Sequence, residues 1–163
     1  MRTRADGVSR AVVYSTFALS LVGLGIATYL TFTHFEGNKF LACSTTGLFN
    51  CDTVTSSPQS YVFGVPVALV GLVGYVVLVV LNSPWGWRST RYVVHVTRVA
   101  VIVGSMAFVL WLVAAELLYV GHICEWCTGV HVVTFLLFVI IARVAPDQLT
   151  SFKREADPVA RPR

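Results

Sequence analysis

"VIVGSMAFVLWLVAAELLYVGHICEWCTGVHVVTFLLFVIIAR", residues 101–143, consists of two long apolar runs joined by a few polar residues that carry a Cys-x-x-Cys. Each run is close to the roughly 20 residues that a helix needs to cross the hydrocarbon core of a bilayer. The rest of the chain has the same character. Of 163 residues, 56% are hydrophobic and only 12% charged, with a mean hydropathy of +0.74, which is outside the range of a soluble domain. Apolar stretches over 11–33, 61–81, 96–120 and 126–145 predict an all-α integral membrane protein, a four-transmembrane-helix bundle. Arginines precede the first stretch as they would a signal peptide, but the run is too long for one and no small-residue cleavage site follows, so a retained helix is expected.

Basic residues orient the bundle. Eleven of the 12 Lys and Arg fall before the first helix, between the second and third or at the entry to the third, or at the close of the fourth and beyond it, and only Lys39 falls on the opposite side. The positive-inside rule therefore puts both termini in the cytoplasm and the cysteines on the outer face of a cell membrane. The net charge of +4 is thereby a topology signal; the scattered basic flanks do not make a nucleic-acid patch. Residues 1–10 are read as a cytoplasmic N-terminus and 11–145 as the membrane domain, with an outer loop at 34–60. The polar stretch 146–163 is read as a cytoplasmic tail, expected to be disordered. Pro66 is expected in the first turns of the second helix. Gly23, Gly25 and Ala27, with Gly71 and Gly74, are small enough to bring helices close together. The outer loop is too apolar for a solvated linker and is expected to fold over the bundle mouth, with a short helical turn after Asp52 that Pro58 stops.

All four cysteines then lie on the outer, oxidising side: Cys43 and Cys51 in the loop, Cys124 and Cys127 at the start of the fourth helix. A helix start stabilises a thiolate, the species that attacks disulfides. Two other readings compete, a pair of bracing disulfides and a zinc site that recruits His122. The seven residues between Cys43 and Cys51 do not form a usual zinc knuckle, and a Cys-x-x-Cys at a helix start is more often redox-active than structural. Dithiol exchange between the two pairs is the reading preferred here, with a thioredoxin-like protein reaching the loop pair and a lipid-soluble quinone reaching the helix pair. A non-enzymatic membrane protein with structural disulfides or a metal site is the alternative.

The stretches "ATYLTFTHF" (27–35), "LACSTTGLFNCDTVTSSPQSYVFGVPVALVGLVGY" (41–75) and "YVGHICEWCTGVH" (119–131) together resemble the vitamin K epoxide reductase family, in particular its bacterial members. The resemblance implies four helices around a quinone pocket with the loop as a lid. It implies that Cys127 lies next to a quinone of the menaquinone or ubiquinone type, that Cys124 exchanges with Cys51, and that Cys43 meets a separate DsbA-like partner. The DsbB family, which does the same work, carries its Cys-x-x-Cys in the first outer segment, the reverse of the order here. Ser60 stands where vertebrate members carry an Asn facing the quinone and His131 where they carry a Tyr, so the resemblance implies plain quinone reduction rather than epoxide reduction. Ser57, Ser60, Phe63, Trp126 and His131 are the expected quinone contacts; for Phe63, Trp126 and Tyr61 an interfacial aromatic belt is the default reading and a pocket wall the sharper alternative. Glu116, alone in an apolar run, is either a proton donor, a helix-pair anchor or a snorkelling side chain. His34 and His95 are read as ordinary interfacial residues.

Overall fold

The computed structural model describes residues 8–37, 40–43 and 48–156. Arg2, Arg4, Lys39 and the tail from 157 onward lie outside the described residues. Helix α1 spans Arg10–Phe35 and opens on Ser9, whose side chain accepts the Val12 N–H. The loop holds a short α2, Cys51–Thr55, capped by Asn50, and a 3-10 turn, Pro58–Ser60. Strands β1 (Tyr61–Val62) and β2 (Val65–Pro66) form a hairpin that leads into α3, Val67–Asn82. A short α4, Pro84–Arg88, connects to α5, Tyr92–Ala115; a wide π turn, Glu116–Val120, extends α5, and α6 runs over Glu125–Ala156. Among the described residues, three segments are long and apolar enough to cross a membrane, Arg10–Phe35, Tyr92–Val120 and Glu125–Ser151, with α3 as a shorter apolar helix.

The long helices alternate in direction. At one end the Trp87 indole of α4 donates to the Thr16 hydroxyl near the start of α1, and Trp87 shares a small cleft with Arg98 of α5 and Gln148 of α6. At the other end lie the close of α1, the start of α3, the π turn and the start of α6. α1 packs against both α3 and α6, and α5 packs against α6.

The polarity of the bundle is inverted relative to a water-soluble protein. Leu21, Val73, Leu110, Trp111, Val132 and Phe135 face outward, while Thr16, Ser20, Asn82, His95, Arg98 and Thr134 are buried. Such an apolar exterior suits lipid, and interior polar side chains then serve to hold helices together. Ser20 accepts from the Asn82 amide at 3.0 Å, and Tyr75 bonds the Thr134 hydroxyl at 2.8 Å and the Val130 carbonyl at 3.2 Å, tying α3 to α1 and α6. Gly23 makes room for the Tyr75 ring, which a Cβ there would overlap. A core of Ala27, Tyr75, Leu78, Ile102, Val133, Leu137 and Ile141 fills the centre.

Several boundaries differ from those read in the sequence. The second helix begins at Val67, not Tyr61. Phe63 and Gly64 both adopt positive φ (51° and 79°), the geometry of a two-residue hairpin turn, and the residue before Pro66 is biased toward extended backbone. Pro66 is consequently the N-cap of α3 and not part of its first turns. The third long helix begins four residues early, at Tyr92. α6 continues through Pro146 to Ala156, so residues 146–156 are helical and not a disordered tail. Pro146 removes one donor in a helix that is already nucleated, and Gln148, Leu149 and the run Lys153 to Ala156 are good helix formers; Thr150 and Ser151 bond back to the backbone of that turn. Gly25, Gly71 and Gly74 have no neighbour at the Cβ position and are not helix-contact glycines.

Arg98, counted above as a basic flank, is instead 1% exposed. Its Nε and Nη2 donate to the Leu81 carbonyl at the end of α3, Nη1 meets His95 Nδ1 at 3.0 Å, and the guanidinium lies 3.8 Å over the Trp87 ring. His95 in turn contacts the Ser89 carbonyl at 2.9 Å. One side chain thus closes the C-terminus of α3 and fixes α5 beside it. Arg98→Ala leaves a buried carbonyl unmet and is expected to cost about 1–3 kcal/mol. Denaturation in detergent should show a lower midpoint than wild type, and an unchanged midpoint would show that Arg98 does not hold the helix ends.

Candidate active site

The local sequence places the four sulfurs through backbone bonds at one contact. Gly121 adopts φ +71° and donates to the Glu116 carbonyl at 2.8 Å, ending the π turn. The chain then extends through Ile123, which forms a parallel bridge with Phe49 of the loop. The Ile123 N–H donates to the Leu48 carbonyl at 2.9 Å, and the Asn50 N–H donates to the Ile123 carbonyl at 3.2 Å. Cys51 follows immediately as the first residue of α2, and Cys124 as the residue before α6. In this register the two cysteines share one buried cluster with Val54, each 0% exposed, against which Leu41, Cys43, Val120, Trp126 and Cys127 pack.

Cys124 caps α6 with its own sulfur. The Thr128 N–H donates to the Cys124 carbonyl at 2.9 Å, and the Cys127 N–H donates to Cys124 Sγ at 3.3 Å, the place a Ser or Asp oxygen usually takes. The Cys124 thiol is held below its ordinary range, chiefly by the hydrogen bond from the Cys127 side chain; the backbone N–H groups of Cys127 and Trp126 add to this, while burial and the Glu116 charge oppose it. Donors at the helix start outweigh desolvation, the condition under which a buried thiol is nucleophilic. Cys43 and Cys51 are joined as a disulfide, and Cys124 and Cys127 are free thiols.

On the far side of Cys127 lies a cavity of about 310 Å³ between the long helices. Cys127, Ser57, Ser60 and His131 line it, as read from the sequence, and so do His34, Gln59, Tyr75, Thr134 and Glu116. Gly71, Gly74 and Ala27 also border it, so their small size shapes the cavity. His34 is therefore more than an interfacial residue: it faces the cavity and contacts the Tyr61 hydroxyl at 3.2 Å. Tyr75 and Thr134 were missed in the sequence, although hydroxyls within apolar runs are a usable signal. The cavity is largely apolar with a few convergent polar groups, the usual make-up of a small-molecule site, and its volume and lining fit a quinone head group.

Two expected contacts are corrected. Phe63 is fully exposed at the tip of the hairpin, because its positive φ turns it outward, and it does not line the cavity. Trp126 packs on the sulfur side of Cys127: its ring lies 4.7 Å from the Tyr29 ring and its Nε1 donates to the Ala42 carbonyl at 2.6 Å. The Tyr29 hydroxyl completes that clasp, accepting the Ala42 N–H and donating to the Phe40 carbonyl, each at 2.9 Å. Trp126 and Tyr29 hold the Cys43 strand of the loop against α1 and α6.

A sequence model of the family described as the Vitamin K epoxide reductase family matches residues 14–142, from the first turns of α1 into α6. No curated protein matches the chain.

With Cys51→Ala opening the cluster, alkylation of reduced Cys124, followed by peptide mass spectrometry, should be half-maximal below the ordinary thiol value of about 8.5. Cys127→Ala removes the largest stabilising bond and should move that midpoint upward. A midpoint at or above the ordinary value, unmoved by the substitution, would contradict the capped-thiolate description.

Proposed function

The chain belongs to the vitamin K epoxide reductase family, whose members are membrane oxidoreductases acting on thiols and quinones, and on that footing we propose that it reoxidises a separate thioredoxin-like, DsbA-like protein at the expense of a quinone. The observation that carries this reading is the series Cys43–Cys51, Cys124, Cys127, cavity, in which each group adjoins the next. A partner thiolate attacks Cys43 and releases Cys51 as a thiolate. Cys51 attacks Cys124 in the Cys124–Cys127 disulfide and releases Cys127. The partner's second thiolate frees its disulfide and releases Cys43, which attacks Cys51 and returns Cys124 as a thiolate. Cys124 and Cys127 take up the two protons that the partner thiols gave up; the quinone, when bound, accepts two electrons and two protons and becomes the quinol, while the Cys124–Cys127 dithiol becomes a disulfide. The loop pair oxidised and the helix pair reduced is the state that precedes this last step.

In this reading four helices span the membrane. α3, with 16 residues, rises about 24 Å, and the hairpin before it extends the span toward the full hydrocarbon thickness of about 30 Å. Arg10, Arg88, Arg91 and Arg143 gather at the end away from the cysteines, which supports a cytoplasmic position for both termini and an outer position for the cysteine end. The segment tied to Ile123, Trp126 and Tyr29 serves as a lid. Trp126 orients the lid, and Ser57, Ser60 and His131 border the quinone head group.

Cys127→Ala should abolish quinone reduction, read as loss of quinone absorbance, with either a protein dithiol or dithiothreitol as reductant. Cys51→Ala should stop transfer from the protein dithiol and leave dithiothreitol turnover largely intact, since a small thiol attacks the Cys124–Cys127 disulfide directly. Quinone turnover that survives Cys127→Ala would overturn the relay, and equal loss with both reductants in Cys51→Ala would make the loop pair a structural brace.

A further inference from the structure

Passing two electrons to a quinone also requires moving two protons, and most cavity hydroxyls have already committed their hydrogens. Ser57 donates to the Val54 carbonyl at 2.8 Å, Ser60 to the Ser57 carbonyl at 2.6 Å, and Thr134 to the Val130 carbonyl at 2.9 Å. Tyr75 is engaged with Val130 and Thr134, and His34 with Tyr61. Among the described residues, Glu116 and His131 are the two titratable side chains, apart from the cysteine itself, that line the cavity without a hydrogen bond to a protein group. Each is 8% exposed. Glu116 starts the π turn, whose wide i to i+5 closure at Gly121 interrupts the helix where the cavity meets the cysteine cluster. π turns of this kind are frequent at functional sites. Its charge also acts on Cys124, so it is electrically coupled to the dithiol. The groups facing it are Cys124 and Cys127, with His131 and His34 across the cavity, and no Lys or Arg lines the cavity among the described residues.

We propose that Glu116 is the proton carrier between the Cys124–Cys127 dithiol and the quinone oxygens, an inference that rests on the quinone-reductase reading above. Oxidation of the dithiol forms one S–S bond, breaks two S–H bonds and releases two electrons and two protons; the quinone takes up both pairs. The Glu116 carboxylate accepts a proton from a thiol as the sulfurs join and releases it to a quinone oxygen. The second proton takes the same route, and the carboxylate ends as it began. Snorkelling toward solvent does not describe this side chain, because it is buried against the cavity.

The test uses the full chain in detergent with Glu116→Gln and Glu116→Asp. Quinone reduction should fall by about tenfold or more in Glu116→Gln and recover in part in Glu116→Asp. Reduction of the Cys124–Cys127 disulfide by dithiothreitol without quinone should stay within about twofold of wild type, which separates a proton-transfer defect from a folding defect. With Cys51→Ala again opening the cluster, the pH at which Cys124 is alkylated should move down in Glu116→Gln, since a charge that opposes the thiolate is gone. Full quinone turnover in Glu116→Gln, parallel loss of both half-reactions, an unmoved alkylation profile, or a tenfold loss seen instead in His131→Gln would each overturn the assignment. Failure of the quinone-reductase reading is separately visible, as quinone turnover that survives Cys127→Ala.

Discussion

Two backbone hydrogen bonds, from Ile123 to Leu48 and from Asn50 to Ile123, fix everything else at the site. They set the loop and the start of α6 in register, so that the residue that opens α2 and the residue that caps α6 are both cysteines in one dry cluster. A slip of one residue in this bridge would carry Cys51 away from Cys124, because neighbouring side chains on an extended strand point to opposite faces. The disulfide to Cys43 and the clasp of Trp126 and Tyr29 act on the same segment from its other side.

The capping role of Cys124 joins structure to chemistry. A helix start contributes about 0.3–1 kcal/mol to a neighbouring negative charge, more when partly buried, and desolvation works against it. In Cys124 the donors prevail, and the Cys127 side chain is the largest of them. The same two sulfurs are therefore linked before any disulfide forms between them. Beyond Cys127 the polarity of the bundle provides the rest. Glycines and Ala27 leave a space in the middle of the helices, and side chains that would be costly in lipid turn inward, where they either tie helices together, as Arg98 and Tyr75 do, or face the cavity, as Glu116 and His131 do.

Much of this was legible in the sequence. The long apolar runs, the two cysteine pairs at one end of the bundle and the helix start at Cys124 follow from length, spacing and capping, and the family match agrees with the resemblance seen in residues 27–131. A short turn was expected after Asp52 and stopped by Pro58; α2 begins at Cys51 and ends at Thr55, and Pro58 opens a 3-10 turn of its own. What escaped depends on information that periodicity does not carry. An all-apolar run cannot reveal that Phe63 and Gly64 bend into a turn, because their signal is backbone φ and not hydrophobicity. Pro146 ordinarily marks a helix end, yet a helix of this length extends past it. Aromatic character could not tell Trp126, which braces the loop, from a cavity wall, and a basic residue beside an apolar run gave no sign that Arg98 is buried under a carbonyl. Gly71 and Gly74 were read as contact points when they border empty space; only the position of the facing helix decides between the two.

Transfer from the loop pair to the helix pair requires Cys51 to lie within bonding reach of Cys124. In the Cys43→Ala, Cys127→Ala double variant, only these two cysteines remain. Mild oxidation in detergent, followed by non-reducing peptide mass spectrometry, should recover Cys51 and Cys124 as a single disulfide-linked pair with little intermolecular product. Recovery of both as free thiols in protein that keeps its wild-type thermal midpoint would contradict the relay.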